Sequence, residues 1–304
     1  MSKVGVQGLP SCADPARRLA TRLGVPFHEI ALHRFPDGEL RVTVGPATAT
    51  TILYASLDHP NDKLIALLFA AEALRRGGAT RLVLLAPYMC YMRQDTAFHD
   101  GEAISQRVVG RLLAATVERV ITVDAHLHRT PDIAAVFPGV EAENLSAMPA
   151  IASALAASGI DPATVVIGPD AESLPWVSDL AGRLGLTYAV GAKKRRGDRS
   201  VEIEFADAGL IEGRPALLID DIVSSGGTLI AGAKALRDAG ARCVDAIVTH
   251  ALFPPGMMAT FAPAGIRSVR STNSVAHPTN AIPLDELFAA ALRREFDQSN
   301  FVEM

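Results

Sequence analysis

Two adjacent carboxylates and a loop of small residues are the part of this sequence best suited to chemistry. Asp220 and Asp221 end an apolar run, and a helical pattern begins at Leu229. A buried strand, a tight turn and a helix N-terminus in this order direct backbone N–H groups and the positive end of the helix dipole at one point, which suits phosphate. The loop consists of Ser224, Ser225, Gly226, Gly227 and Thr228.

The residue types of this loop favour a sugar phosphate over phosphate alone. Glycine lets an anion approach the backbone closely, and the serine and threonine hydroxyls add hydrogen-bond donors. The two carboxylates would repel a bare phosphate, so they fit ribose hydroxyls or a hydrated Mg²⁺. The alternative is an ordinary strand–loop–helix connection with acidic residues at the strand end. We expect Asp220, Asp221 and the loop to bind a phosphorylated sugar.

A second polar segment, RFPDGE, precedes the short predicted strand Leu40–Val44. Pro-Asp-Gly is a turn signal, so the segment is compatible with a simple hairpin. The functional interpretation uses the ring of Phe35 as a flat surface for a base, with Asp37 and Glu39 as hydrogen-bond acceptors.

A third polar segment, PYMCYMRQD, begins where the predicted strand Arg81–Pro87 ends. It carries Arg93 and Gln94 in a loop before the predicted helix Ile104–Ala115. The guanidinium group of Arg93 presents a planar fork of donors that suits phosphate oxygens. We therefore expect Arg93 to have a functional role.

The sequence VDAHLH places a carboxylate and two imidazoles just beyond another predicted strand. His126 and His128 alternate, so in extended backbone they share a face. One interpretation is that one histidine makes a hydrogen bond and the other faces solvent. The other is a divalent ion that bridges His126 and the carboxylate of Asp170, which follows a later strand.

The segment KKRRGDR is the strongest positive cluster in a chain of formal net charge −4. It lies between the predicted strand Thr187–Val190 and the alternating segment Val201–Phe205. A solvated hairpin tip is the ordinary interpretation. Because the phosphosugar loop has acidic neighbours, a mobile basic flap formed by this segment could instead neutralise a polyphosphate during transfer.

Short apolar runs alternate with helical patterns over most of the chain, which predicts parallel sheets built from βαβ units. The predicted strands are Arg81–Pro87, Arg119–Val123, Thr164–Gly168, Ala216–Ile219 and Val244–Thr249. The predicted helices are Leu64–Arg75, Ile104–Ala115, Pro149–Ala157, Leu174–Leu184 and Ile230–Ala239. In such sheets ligands bind at the carboxyl ends of the strands, where the polar segments above lie.

The α/β pattern runs twice. Strand Arg81–Pro87 leads into Tyr88 and strand Thr164–Gly168 into Pro169-Asp170, and each is followed by a polar loop, a helix and a further strand. We therefore expect two similar domains, residues 1–145 and residues 146–304. The segment Leu284–Phe296 predicts an amphipathic helix that packs on one domain or at a subunit contact.

Composition narrows the class of protein. Of 304 residues, 49% are hydrophobic and 20% charged, as in an ordinary globular protein, and the weak net charge gives no reason to expect nucleic acid or membrane partners. The three cysteines have no metal-ligand spacing, so we expect reduced, buried thiols. We see neither a signal peptide nor a membrane-length apolar stretch, and we expect a cytoplasmic protein.

The combined motifs FPDGE, YMRQD with GEAIS, VDAH, PD, KRR and DDIVSSGGT resemble those of the ribose-phosphate pyrophosphokinase (phosphoribosyl-pyrophosphate synthetase) family. The resemblance spans nearly the whole chain. The loop motif alone also occurs in type I phosphoribosyltransferases, and the other motifs distinguish the two. The basic segment followed by VEIEF is similar to the shorter archaeal-type synthetases.

The resemblance implies two phosphoribosyltransferase-like α/β domains, each a mainly parallel sheet flanked by helices. It implies transfer of the pyrophosphoryl group of ATP to the 1-hydroxyl of ribose 5-phosphate, with Mg²⁺, in a homo-oligomer with a shared ATP site. The family's ATP site matches Phe35, Asp37, Glu39, Arg93 and Gln94, the first three from a neighbouring subunit. Its Mg²⁺-associated positions match His126 and Asp170, and its catalytic flap matches Lys194 and Arg196. Its ribose 5-phosphate loop matches Asp220, Asp221, Ser224, Ser225, Gly226, Gly227 and Thr228.

The chain departs from the family pattern in three places. LHRTPDIAAVF stands where a Gln-rich stretch is usual, Ala171-Glu172-Ser173 replaces Ala-Gly-Gly, and Ser225 replaces Thr. Phosphate activation and ADP inhibition therefore do not follow from the resemblance. Two other classes remain open from sequence: a type I phosphoribosyltransferase, and a non-catalytic regulatory homologue of the synthetase.

Overall fold

A computed structural model of the chain describes residues 3–196 and 200–297. The chain forms two compact units. The first contains the chain up to Leu145 together with the segment that begins at Asp285, and the second is Ser146–Leu284. Each unit is built around its own sheet, as the repeated α/β pattern predicts.

The first unit contains a six-stranded parallel sheet in the order β2-β1-β5-β6-β7-β8, and a separate antiparallel hairpin, β3-β4. Its central strands are continuous apolar runs because helices cover both faces of such a sheet. The strands are β1 (Val4–Gly8), β2 (Phe27–Glu29), β3 (Ala31–Arg34), β4 (Leu40–Thr43), β5 (Thr50–Tyr54), β6 (Arg81–Ala86), β7 (Arg119–Val123) and β8 (Glu141–Leu145).

The second unit contains a seven-stranded sheet in the order β11-β10-β9-β12-β13-β14-β15. All its neighbours are parallel except β10 and β11, which form an antiparallel pair at one edge. The strands are β9 (Val165–Gly168), β10 (Thr187–Arg196), β11 (Ser200–Phe205), β12 (Pro215–Val223), β13 (Cys243–Ala251), β14 (Ile266–Thr272) and β15 (Asn280–Ile282). The predicted fold class, mainly parallel sheets flanked by helices, is confirmed.

Helices connect most successive parallel strands. Several end at a glycine in the left-handed conformation, such as Gly185 with φ of 66°, because glycine adopts it without a side-chain clash. No helix in residues 3–196 and 200–297 is both long enough and apolar enough to cross a membrane. The helices are α1 (Ala13–Leu23), α2 (Pro60–Arg76), α3 (Ser105–Ala114), α4 (Met148–Ala157), α5 (Leu174–Leu184), α6 (Gly227–Asp238), α7 (Met258–Phe261), α8 (Asp285–Leu292) and α9 (Arg294–Asp297).

The C-terminal helices belong to the first unit, so the expected second domain, 146–304, differs from the observed second unit at its end. The reason is packing. Phe288 is fully buried and its ring meets Tyr54 edge-on at 6.1 Å. Glu295, also fully buried, accepts a hydrogen bond of 2.7 Å from Arg119. These contacts bind the segment to the sheet of the first unit.

The three cysteines are free thiols. Cys12 and Cys90 are buried, and burial raises the pKa of both, that of Cys90 to about 12. Cys243 is only partly buried. The expectation of buried thiols is therefore met at two positions and wrong at Cys243, which lies at the start of β13.

Candidate functional site

The glycine-rich loop lies between β12 and α6, and it is shorter than the sequence predicts. Gly226 has φ of 71° and is the N-cap of α6, whose first residue is Gly227. The N–H of Ile230 donates to the Gly226 carbonyl at 3.0 Å, which closes the first helical turn. Thr228 therefore lies in the helix and not in the loop. The backbone N–H groups of Gly227, Thr228 and Leu229, which precede Ile230, have no acceptor within the helix. They are therefore donors for an anion.

The preceding strand is longer than predicted and includes both acids. Asp220 pairs in register with Val248, and the ladder continues to Val223 and Ala251. The Asp220 carboxylate accepts a 3.1 Å hydrogen bond from the Asp221 N–H. Asp221 is 6% exposed and its carboxylate accepts a 2.7 Å hydrogen bond from the backbone N–H that follows it. The two carboxylates thus have different surroundings, and Asp220 is the more accessible of the two.

The segment RFPDGE forms the tip of the β3–β4 hairpin, as the turn signal predicts. The N–H of Phe35 donates to the Glu39 carbonyl at 2.9 Å, and Gly38 turns the chain with φ of 96°. Phe35, Asp37 and Glu39 are all exposed at this tip. One side of β4 instead packs on the core of the first unit, through Leu40 and Val42. The hairpin thereby presents the three predicted ATP-site residues to the exterior of the unit.

The loop after β6 is fixed by two polar side chains that sequence reasoning did not single out. Asp95 is buried and accepts hydrogen bonds from both the backbone N–H and the guanidinium of Arg129, each 3.0 Å long. Gln106, also buried, accepts a hydrogen bond of 3.0 Å from Thr130. Arg129 and Thr130 follow the next strand, β7. The loops beyond the carboxyl ends of β6 and β7 are therefore joined, and they hold Arg93 exposed beside Gln94.

The first turn of α2 connects this loop to the hairpin. The Tyr91 hydroxyl donates to the Asn61 side chain at 2.5 Å. Asp62, the next residue, forms an ion pair with Arg34 at the end of β3. The two segments that carry the predicted ATP-site residues of this unit thus share one anchor. The sequence contains no signal for these partners, which lie about 30 residues from the groups they bind.

The VDAHLH segment lies where predicted, just beyond β7. Asp124 is buried and has a positive φ of 37°, an unusual conformation for a residue other than glycine. Such local strain is concentrated at functional sites, where the surrounding structure maintains it. The rings of His126 and His128 meet edge-to-face with centroids 4.9 Å apart, so the two imidazoles lie together.

Asp170 lies just beyond β9 in the second unit and begins a short 3-10 turn, Ala171–Ser173. Its carboxylate accepts a hydrogen bond of 3.1 Å from the Glu172 N–H. The Ser173 hydroxyl donates to the Asp170 carbonyl and fills the space beside Gly168, where a Cβ would lie 1.9 Å from the serine oxygen. The departure from the family's Ala-Gly-Gly pattern therefore forms a compact, capped turn.

Lys194 and Arg196 lie on β10, which continues beyond the predicted strand Thr187–Val190. The backbone of Lys194 pairs with Glu202 of β11, and that of Arg196 with Ser200. Residues 197–199 of the predicted basic flap, and the side chains of 193–202, lie outside the described part of the chain. The described part of the basic segment, residues 193–196, is thus one strand of an antiparallel pair at the sheet edge.

In the second unit, a strand of a mainly parallel sheet runs through two adjacent acids and leads into a helix whose N-cap is a glycine. This arrangement is that of the phosphoribosyltransferase fold. Residues 6–116 match the family model described as the N-terminal domain of ribose phosphate pyrophosphokinase. Residues 143–253 match the phosphoribosyl transferase domain. The phosphoribosylpyrophosphate synthetase from Mycobacterium smegmatis has the same fold, with a TM-score of 0.83 over 98% of this chain and 100% of that one, at 23% identity.

Two curated relatives are archaeal proteins named ribose-phosphate pyrophosphokinase. That of Methanopyrus kandleri is 34% identical over 91% of this chain and 94% of its own length. Ribose-phosphate pyrophosphokinase 2 of Archaeoglobus fulgidus is 33% identical over 92% of this chain and 97% of its own length. The chain therefore belongs to the ribose-phosphate pyrophosphokinase family and is an enzyme of that type.

Proposed function

We propose that this enzyme transfers the β,γ-pyrophosphoryl group of ATP to the anomeric hydroxyl of ribose 5-phosphate. The hydroxyl oxygen forms a bond to the β-phosphorus, the bond from that phosphorus to the α,β-bridging oxygen breaks, and the hydroxyl proton is lost. The products are AMP and 5-phosphoribosyl 1-pyrophosphate. The observation that carries the proposal is the glycine-capped N-terminus of α6 directly beyond the acids of β12, in a chain that also has the family's N-terminal domain.

The sugar site that we propose is formed by this loop. The free N–H groups at the start of α6, with the hydroxyls of Ser224, Ser225 and Thr228, hold the 5-phosphate. Asp220 and Asp221 accept hydrogen bonds from the ribose hydroxyls. The left-handed Gly226 and the following Gly227 supply the close backbone approach that a phosphate needs.

The ATP site that we propose is formed by the loop after β6 and the hairpin tip. Arg93 holds phosphate oxygens through its planar donors, beside Gln94. Phe35 provides the surface for the base, and Asp37 and Glu39 accept hydrogen bonds. As the family resemblance implies, these hairpin residues serve the ATP site of a neighbouring subunit in a homo-oligomer, and their exposure in the single chain is compatible with that role.

The residues proposed as Mg²⁺-associated are His126 and Asp170. Mg²⁺ retains several waters and binds proteins through one or two side chains together with substrate phosphates. The Asp170 carboxylate lies just beyond a strand end, in a turn that Ser173 fixes, and fits that requirement. The imidazole of His126 adds one nitrogen ligand. The ion, when bound, offsets negative charge on the phosphate oxygens of ATP.

Lys194 and Arg196 are the proposed catalytic residues. Phosphoryl-type transfer requires little covalent chemistry from the protein, and positioning and charge stabilisation provide most of the rate. The assignment of these two cations rests on the sequence motif. They stabilise the charge that develops on the transferred group and on the departing AMP.

The test is AMP formation from ATP and Mg²⁺ with and without ribose 5-phosphate. We expect AMP only when the sugar phosphate is present, and no ADP. Release of pyrophosphate from 5-phosphoribosyl 1-pyrophosphate that depends on a nucleobase, with no use of ATP, would indicate a phosphoribosyltransferase. ATP binding without turnover under all conditions would indicate a non-catalytic homologue.

A further inference from the structure

Gly226 is enclosed by two side chains from a distant part of the sequence. A Cβ added to Gly226 would lie 2.9 Å from the ring of Phe261 and 3.0 Å from the terminal methyl of Met257. Both distances are shorter than van der Waals contact permits. The N-cap of α6 therefore rests against a wall formed by Phe261, at the end of α7, and Met257.

This wall is supported from behind by a second ring. Phe261 and Phe253 are 2% and 1% exposed, and their rings meet edge-to-face at 5.2 Å. The residue before Phe253 is bonded to the strand that leads into the loop, because the Leu252 N–H donates to the Val223 carbonyl at 2.9 Å. Phe253 thus links the strand end and the ring that faces Gly226.

His277 is the third ring of this cluster, after Phe261 and Phe253. Its ring lies 4.4 Å from that of Phe253, and its Nε2 is 3.1 Å from the Phe253 carbonyl oxygen. A carbonyl only accepts, so Nε2 donates, and Nδ1 accepts from the Thr279 hydroxyl at 2.7 Å. Burial lowers the pKa of His277, which agrees with this neutral form. The imidazole therefore fixes both the ring and the backbone of Phe253.

We propose that Phe261, backed by Phe253 and His277, is a positioning residue for the phosphate of the sugar substrate. Its ring holds Gly226 in the left-handed conformation, and this conformation directs the first N–H groups of α6 at one point. The ring itself does not contact the anion. The proposal rests on the proposed assignment of the 224–228 loop to ribose 5-phosphate. It adds a residue of α7, 35 positions beyond the glycine, to the determinants of sugar affinity.

The experiment is a double-mutant cycle of Phe261→Ala and Gly226→Ala, read as KM for ribose 5-phosphate and for ATP. We expect Phe261→Ala to raise the KM for ribose 5-phosphate about tenfold and to change the KM for ATP less than about twofold, because donors that are misdirected by a fraction of an ångström bind less well. Gly226→Ala alone forces a methyl group into the Phe261 ring. In the Phe261→Ala background that clash is relieved, so we expect the same substitution to raise the KM by a smaller factor.

Two further variants separate positioning from stability. Phe288→Ala removes an equally buried ring in the first unit, and we expect it to lower Tm while leaving the KM for ribose 5-phosphate unchanged. Phe261→Leu keeps apolar volume beside Gly226 and folds if Phe261→Ala does not, and we expect it to raise the KM by an intermediate factor. An unchanged KM in both Phe261 variants, or factors that multiply independently in the cycle, would overturn the proposal.

Thr228→Val distinguishes this proposal from the assignment on which it rests. It removes one hydroxyl at the helix start and conserves shape. A raised KM for ribose 5-phosphate in Thr228→Val, with none in the Phe261 variants, would reject the aromatic support and keep the loop assignment. If neither substitution changes that KM while ribose 5-phosphate-dependent AMP formation persists, the loop assignment fails and the proposal with it.

Discussion

The guanidinium group of Arg119 and the carboxylate of Glu295 lie 2.7 Å apart, and neither side chain is exposed to solvent. Glu295 also accepts a 2.7 Å hydrogen bond from Arg81, and Arg119 also binds Glu143. Arg81 and Arg119 begin the neighbouring strands β6 and β7. The C-terminal segment is therefore held to the first unit by a buried ionic network at the amino ends of these strands, away from the loops at their carboxyl ends.

We predict that Glu295→Gln lowers the free energy of unfolding of the first unit by about 3 kcal/mol, because the buried guanidinium of Arg119 loses its fully buried charge partner and keeps only partly exposed ones such as Glu143. Glu286→Gln, an exposed change on the adjacent helix α8, should change it by less than about 0.5 kcal/mol. Urea unfolding at pH 7 measures both. Equal stability of the two variants would show that the network adds nothing.

The effect should depend on pH. Burial alone would raise the pKa of the Glu295 carboxyl, but hydrogen bonds from Arg81 and Arg119 outweigh it and hold the pKa below its ordinary value of 4.5. A carboxyl group whose pKa is lower in the folded than in the unfolded state stabilises the protein at pH values above its unfolded-state pKa. This stabilisation is lost as the pH falls through the folded-state pKa. The difference in free energy of unfolding between the parent protein and Glu295→Gln should therefore have its full size at pH 6 to 7 and decrease steadily below pH 4.5.

We predict that Arg93→Ala raises the KM for ATP by about tenfold or more and changes the KM for ribose 5-phosphate little, because a charge-assisted contact to the triphosphate is lost. Arg107 is also exposed, but it lies on α3 and not in the loop after β6. Arg107→Ala is the control and should leave both KM values unchanged. Initial rates at varied ATP and fixed sugar decide this. A defect confined to ribose 5-phosphate would mean that the loop after β6 is assigned to the wrong substrate.

We predict that Lys194→Ala lowers kcat by about 10²-fold or more and changes each KM much less, since a group that acts mainly in the transition state contributes little to ground-state binding. Lys234→Ala, an exposed lysine on α6, is the matched control. Steady-state kinetics with both substrates measure the split. A kcat within about twofold of the parent value would remove Lys194 from the mechanism.

We predict that Asp220→Asn raises the KM for ribose 5-phosphate about tenfold, because hydrogen bonds from the ribose hydroxyls to a charged acceptor are replaced by weaker ones. The KM for ATP should change less. Asp238→Asn, at the far end of α6, controls for loss of an exposed charge in the same unit. If Asp220→Asn affects only ATP, the acids of β12 do not bind the sugar.

Elements with a clear local pattern could be predicted from sequence. The strand Arg119–Val123 and the helix Leu174–Leu184 have the predicted bounds, because each is a uniform apolar or amphipathic run with a distinct end. The strand through Asp220 and Asp221 was predicted too short. Acidic residues read as a strand end, yet pairing with β13 continues through them. The sequence pattern places Thr228 in the loop, because glycine is a poor helix former and two glycines therefore do not indicate that a helix begins.

The supporting contacts of the site could not be predicted, because their partners are distant in sequence. Asp95 binds Arg129, 34 residues away, and Glu295 binds Arg119, 176 residues away. Phe261 meets Gly226 although the two lie 35 residues apart in the sequence. Local periodicity contains no information on such pairs. The residue types that could bind phosphate and sugar were visible in the sequence, and the side chains that hold them in place were not.

The central claim is transfer of an intact pyrophosphoryl group, and tracing labelled ATP tests it most directly. With ³²P in the γ-position, Mg²⁺ and ribose 5-phosphate, we expect the label in a sugar pyrophosphate formed in equal amount with unlabelled AMP. With ³²P in the α-position, all the label should remain in AMP. Label recovered as inorganic phosphate together with ADP, or AMP formed at the same rate without ribose 5-phosphate, would contradict the proposed function.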